Sequence, residues 1–123
     1  MSSIDAEHVD YDGEPEAERC AMRVLLELIT APWTLHILLI LTDEGPTRFG
    51  ALRRKVEGIS SRVLTVRLRS LEARGLLSRS VSSSKPPEVT YYPTPRLHDM
   101  RVFMQQLRDL SLKWHHEDHP NPT

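Results

Sequence analysis

The chain predicts an α+β fold, several helices with one small β-hairpin, and three observations lead there. Apolar residues recur at helical spacing in five separate stretches between Glu16 and His115. A β-branched and aromatic run, Val89-Thr90-Tyr91-Tyr92, answers a short extended run at Leu76–Val81 across a loop rich in Ser and Pro. Between these, Gly45-Pro46 stops one helix, Gly58 supplies a turn and Gly75 closes another helix. A chain of 123 residues has room for one domain.

The elements follow in order. Residues 1–15 are polar, acidic and broken by Gly and Pro, and are expected to form a disordered acidic arm. Cys20, Val24, Leu25, Leu28 and Ile29 then share one face of a first amphipathic helix, which Pro32 ends. A second helix is expected from about Trp33 to Asp43. It is apolar nearly all round, as a central helix should be. A short helix begins at Phe49, with Phe49, Leu52 and Val56 inward and Arg53, Arg54 and Lys55 elsewhere. Gly58 supplies a turn, Ser60 an N-cap, and a longer helix runs from Ser61 to about Arg74 with Leu64, Leu68 and Leu71 inward. Gly75 is placed to close it. The last helix starts near Pro95 or Arg96 and runs to about His115, with Leu97, Met100, Phe103 or Met104, Leu107 and Leu110 as its stripe. Residues 16–116 would be the folded domain and 117–123 a flexible tail.

Charge says what such a fold would do. Residues 48–85 hold ten Lys and Arg against two acids, Glu57 and Glu72, a local charge of +8 in a chain whose net charge is −1. Residues 1–20 carry a balance of −6. A duplex responds to the local field rather than the chain total, so the block predicts a surface for a phosphate backbone. Short helix, glycine turn and longer basic helix is the helix-turn-helix arrangement, and the hairpin beyond it is a wing. In that arrangement the start of the second helix reaches base edges. The base-reading candidates are therefore Ser60, Ser61, Arg62, Thr65 and Val66, with Arg62 able to donate twice to a guanine. The phosphate and wing candidates are Arg48, Arg53, Arg54, Arg67, Arg69, Arg79, Ser83, Ser84 and Lys85. One recognition helix covers few base pairs. The apolar stripes of the terminal helices accordingly predict a homodimer on a pseudo-palindromic double-stranded DNA operator.

Other classes lack a foothold. No run approaches 18 apolar residues, so no membrane partner is expected. Met1–Asp5 has neither a basic nor an apolar signal region, which makes the cytoplasm the expected compartment. No nucleophile elbow, zincin motif or phosphate-cradling loop is present, and no enzyme activity or cofactor is expected. His115-His116-Glu117-Asp118-His119 runs into a Pro-bearing tail with nothing to set ligand distances, so no metal is assigned. The alternative reading is a winged-helix protein-interaction module docking its basic face on an acidic partner without reading sequence. Arg62→Ala discriminates the two.

These stretches together resemble the HxlR-type branch of winged helix-turn-helix transcription regulators, related to the MarR superfamily. The matching residues are Cys20; Trp33-Thr34 with Ile37-Leu38; Gly45-Pro46-Thr47-Arg48-Phe49; and Leu52-Arg53. They continue with Gly58-Ile59-Ser60-Ser61-Arg62-Val63-Leu64-Thr65, Arg67-Leu68-Arg69-Ser70-Leu71-Glu72, Gly75-Leu76-Leu77 and Pro86-Pro87-Glu88-Val89-Thr90-Tyr91. The resemblance spans roughly residues 20–114. It implies a winged helix-turn-helix with a two-stranded wing and flanking N- and C-terminal dimerisation helices, acting as a homodimeric regulator, a repressor by expectation. It implies DNA reading by Ser60, Ser61, Arg62 and Thr65, a phosphate-facing or structural role for Arg48, and packing for Trp33. It also implies a response to electrophiles, oxidants or small aromatic compounds, with Cys20 aligned with the redox cysteine of sensing members. The chain departs from the family at Cys20-Ala21, where Cys-Pro is usual. It departs again at Ala31-Pro32-Trp33-Thr34, where Gly-Lys-Trp-Thr is usual, and at Pro93–Leu97 after the wing. Cys20, the sole cysteine, excludes an internal disulfide; as a sensor it would bridge two subunits or form a mixed species. A small-molecule effector would sit between the reading head and the dimer helices, with Trp33, His36, Phe103, Met104 and Trp114 as candidates to line its pocket.

Overall fold

The computed structural model describes residues 15–122. The acidic arm expected for residues 1–15 lies, but for Pro15, outside the described residues. The chain divides into two compact units, residues 1–35 and 36–123.

In the first unit, α1 (Pro15–Ile29) opens with proline and carries Glu16 and Glu18 in its first turn, where acids favour the positive end of the helix. It closes at Thr30, whose amide and hydroxyl both donate to the Leu26 carbonyl. No α1 residue is buried. The structure differs from the sequence expectation at Trp33. This residue is not helical but left-handed, with φ 74°, and α2 (Thr34–Glu44) starts one residue later. Pro32 lacks an N–H to continue α1, and the Thr34 amide instead donates to Ala31 in a turn that reverses at Trp33.

The second unit begins within α2, at His36. Along α2, Ile37, Leu38 and Leu41 are fully buried and Ile40 nearly so, as expected of an all-round apolar helix. Gly45, with φ 76°, ends it by donating to Leu41. β1 (Thr47–Arg48), α3 (Phe49–Lys55) and α4 (Ser61–Ala73) follow. Leu52 and Val56 from α3 and its end, Ile59 from the turn, and Leu64, Leu68 and Leu71 from α4 close one core. The end of α4 is a Schellman arrangement. Gly75, φ 78°, donates to Glu72, and Leu76 donates to Leu71.

The sheet has three strands rather than the two expected, in the antiparallel order β1-β3-β2, with β2 at Leu77–Val81 and β3 at Val89–Pro93. Register pairs run from Leu77↔Pro93 to Val81↔Val89, and Thr47↔Tyr91 with Arg48↔Thr90 adds the third strand. A two-residue strand has too little alternation to be seen in sequence. Leu76, Leu77 and Tyr91 turn into the core. Thr94 ties wing to helix: its hydroxyl donates to the Gly75 carbonyl at 2.6 Å and accepts from Leu97 as the N-cap of the next helix.

The C-terminal helix is broken where a continuous one was expected. α5 (Pro95–His98) and α6 (Arg101–Asp118) are separated at Asp99-Met100. There two successive amides donate three residues back, Asp99 to Arg96 and Met100 to Leu97. Such a tightened turn barely disturbs an apolar stripe, so periodicity does not reveal it. α6 continues to Asp118, past the expected end, which places Glu117 and Asp118 in the helix rather than in a tail.

Candidate nucleic-acid interface

Ser60 is extended (φ −82°, ψ 158°) and its hydroxyl accepts from the Val63 amide at 3.1 Å, so the cap starts α4 where the sequence suggested. The bond uses one lone pair of the hydroxyl, so Ser60 fixes the helix start while its proton and second lone pair stay free at an exposed position. With Leu64, Leu68 and Leu71 inward, helical geometry turns Ser61, Arg62, Val66, Arg69 and Ser70 outward, and all five are exposed. Val66, half exposed, is an apolar surface on a basic helix, suited to a thymine methyl. The Thr65 hydroxyl donates to the Ser61 carbonyl at 2.8 Å. Its proton is thus committed to the backbone, leaving lone pairs and a methyl for any partner.

Around α4 the basic block splits into two sets. Three cations are held by carboxylates: Arg48 by Glu88 at 2.9 Å, Arg79 by Glu72 at 3.8 Å, and Lys55 by Glu44. Among the described residues no carboxylate pairs with Arg53, Arg54, Arg62, Arg69 or Lys85. Arg67 is half-buried on α4 and already engaged. Arg48 thus meets Glu88, the residue just before the returning wing strand, 40 residues along the chain.

The wing tip is an ordered loop. Ser82 closes the hairpin by donating its amide to the Glu88 carbonyl, and its hydroxyl accepts from the Glu88 and Ser84 amides. The hydroxyls of Ser82 and Ser84 lie 2.7 Å apart, and Ser84 donates on to the Pro86 carbonyl across a cis Lys85-Pro86 bond. Ser83 and Lys85 are left exposed at the tip. Between α4 and the sheet lies an open groove of about 810 Å³ lined by Phe49, Thr65, Arg69, Glu72, Arg79 and Tyr91, among others. Burial pushes the Tyr91 hydroxyl above its ordinary pKa, against the opposing pull of Arg79. Sequence reasoning missed this groove, because its walls come from four elements.

The remaining candidates divide between the two units. Cys20 is exposed on α1. Of the effector-pocket set, His36, Phe103 and Trp114 are exposed, Trp33 belongs to the first unit, and only Met104 lines a cleft. The smaller hollow beside that cleft, about 240 Å³, is formed by Leu41, Gly45, Pro93, Leu97, His98 and Arg101, none of them expected. Among the described residues no group of three metal-ligating side chains gathers, and His115 and His119 stack on one another. No single helix there is long and apolar enough to cross a membrane.

Comparison with known proteins gives a consistent picture. Residues 28–119 match the family described as HxlR-like helix-turn-helix. The chain is 38% identical over 95 residues to the uncharacterised HTH-type transcriptional regulator YtfH of Escherichia coli K12, covering 77% of this chain and 75% of that one. Among solved structures it is similar to transcriptional regulator ytfH from Salmonella typhimurium, with a TM-score of 0.69 and 33% identity over 88% of this chain and 98% of that one. It is also similar to the redox regulator HypR in its reduced form, with a TM-score of 0.69 and 29% identity over 76% of this chain and 91% of that one.

Proposed function

The chain belongs to the HxlR-like helix-turn-helix family of DNA-binding transcriptional regulators, and from that premise we propose that it acts as a homodimeric repressor reading a two-fold-related operator. The observation that carries this reading is the outward face of the first turns of α4. There Ser61, Arg62 and Val66 stand exposed on a helix whose other face is buried, inside a block of charge +8. In a major groove Arg62 donates to a guanine, Val66 and the Thr65 methyl meet thymine, and Ser61 adds a hydrogen bond. Arg53, Arg54, Arg67 and Arg69 meet phosphates beside it, and the wing, through Ser83, Ser84 and Lys85, follows the adjacent backbone or minor groove.

Two copies of α4 must lie one helical turn apart, about 34–36 Å. The exposed apolar residues of α6 (Leu107, Leu110, Trp114) supply a surface that a second subunit would cover, and in the first unit those of α1 (Met22, Val24, Leu25, Leu26) supply another. Exposed Cys20 on α1 is accessible to oxidant, and a relative of similar fold is a redox regulator; both support an oxidant-responsive repressor in which Cys20 links two subunits.

The test is a binding titration on the gene's own upstream DNA and on a scrambled duplex of equal length, at fixed salt, with and without oxidant. A preference well above tenfold for the upstream DNA is expected. Equal weak binding to both would sink the operator reading, and a chain that stays monomeric on a non-reducing gel after oxidant would sink the Cys20 link.

A further inference from the structure

We propose that Glu72 is a built-in counter-charge of the reading surface, a carboxylate standing where a DNA phosphate would otherwise engage Arg79 and Arg69. The inference rests on α4 and the wing being the DNA-facing surface, and it names a residue that sets the affinity of that surface. Glu72 and Glu57 are the only acids in the +8 block, and they are placed differently. Glu57 lies in the turn between α3 and α4 and makes no ion pair among the described residues. Glu72 lies on the recognition helix itself, one turn after Arg69, and reaches Arg79 on β2 at 3.8 Å. All three side chains line the groove between α4 and the sheet, and all three charges bear on the Tyr91 hydroxyl at its wall.

Two roles are open to such a carboxylate: a strut that sets the angle between helix and wing, or a charge that tunes the field. Magnitudes favour the second. The wing root is already held by buried Leu76, Leu77 and Tyr91, by five register pairs between β2 and β3, and by the Thr94 bond to Gly75. A long ion pair with both side chains near half exposed adds little to that geometry. Its electrostatic effect on an arriving polyanion is not small. Glu72 neutralises one cation of the surface before DNA arrives and repels phosphates after Arg79 has let go. Because it touches no base edge from the late turns of α4, it lowers affinity for every duplex alike and leaves sequence choice unaltered.

The experiment uses the full chain and the isosteric Glu72→Gln variant, titrated on the upstream and scrambled duplexes at several salt concentrations. The variant is expected to bind both duplexes about three- to tenfold more tightly at low salt, with their ratio unchanged. The slope of log K against log salt should steepen by about one phosphate contact. Glu57→Gln should gain clearly less, and in an Arg79→Ala background the Glu72→Gln gain should shrink to the part that Arg69 and direct repulsion supply. Binding equal to or weaker than the parent, with an unchanged unfolding midpoint, overturns the counter-charge. An equal gain from Glu57→Gln reduces it to net charge and overturns the local claim. Should the parent bind neither duplex, the DNA-facing surface itself fails, and the counter-charge with it.

Discussion

The reading head and the terminal helices use their apolar residues in opposite ways. In the head, Leu52, Val56, Leu64, Leu68, Leu71 and Leu77 are all at or near zero exposure, and only Val66 and Val81 among its large apolar side chains remain at least half in water. On α1, Met22, Val24, Leu25 and Leu26 are between 40% and 56% exposed, and on α6 Val102, Leu107, Leu110, Leu112 and Trp114 are between 39% and 70%. The head is therefore a finished core with a charged exterior. The helices carry a face that water alone does not stabilise, and burial against another subunit would recover about 25 cal/mol per Å² of it. One part of the chain concentrates cations at its surface, the other leaves apolar side chains in water.

The sharpest way to break that contrast is to remove a core side chain. Leu68→Ala empties a fully buried site and should lower stability by about 2–5 kcal/mol in a urea titration, whereas Val102→Ala on the exposed face of α6 should change it by less than about 0.5 kcal/mol. Next comes the apolar face itself. Leu107→Glu with Leu110→Glu should shift the chain from dimer to monomer in sedimentation, by on the order of 2–4 kcal/mol of association energy, while leaving the circular dichroism of the head intact. A dimer that survives both charges would relocate the interface.

Arg62→Ala should cost about 1–3 kcal/mol on the operator and little on scrambled DNA, and Arg54→Ala should weaken both equally. Equal losses from the two variants would remove the distinction between reading and clamping. Ser60→Ala should lower stability by about 1 kcal/mol through the lost N-cap, seen as a drop in unfolding midpoint. The smallest effect is alkaline. The buried Tyr91 hydroxyl holds its proton more tightly in the folded chain, so the unfolded chain ionises first and stability falls as pH rises past about 10. Tyr91→Phe should flatten that limb of the pH profile.

Much of the head was legible because its signals are local. The Ser60 cap, the Leu64-Leu68-Leu71 spacing and the Gly75 stop each depend on neighbours within a few residues, and each stands in the structure as expected. The exposure of Ser61, Arg62 and Val66 follows from the same spacing. What escaped was non-local. β1 exists only because Thr47-Arg48 finds β3 more than 40 residues later, and the ion pairs that occupy Arg48 and Arg79 join elements that no periodicity connects. The left-handed Trp33 and the break at Asp99-Met100 escaped for a different reason: each changes a backbone turn without disturbing the apolar pattern on either side.

By itself the sequence determined the order of elements, which face of each helix in the head turns inward, where the basic charge is concentrated, and the kind of partner that charge selects. These are properties of spacing and composition, set by the period of the helix and the range of the Coulomb field. The tertiary structure alone decided which cations are held by carboxylates and which have no carboxylate partner among the described residues. It also decided that a third strand, β1, joins the two-stranded wing in one sheet, and that Glu72 shares a groove with Arg69 and Arg79. Each of these depends on a distance of a few ångströms between residues far apart in the chain, and only the packed core brings them together.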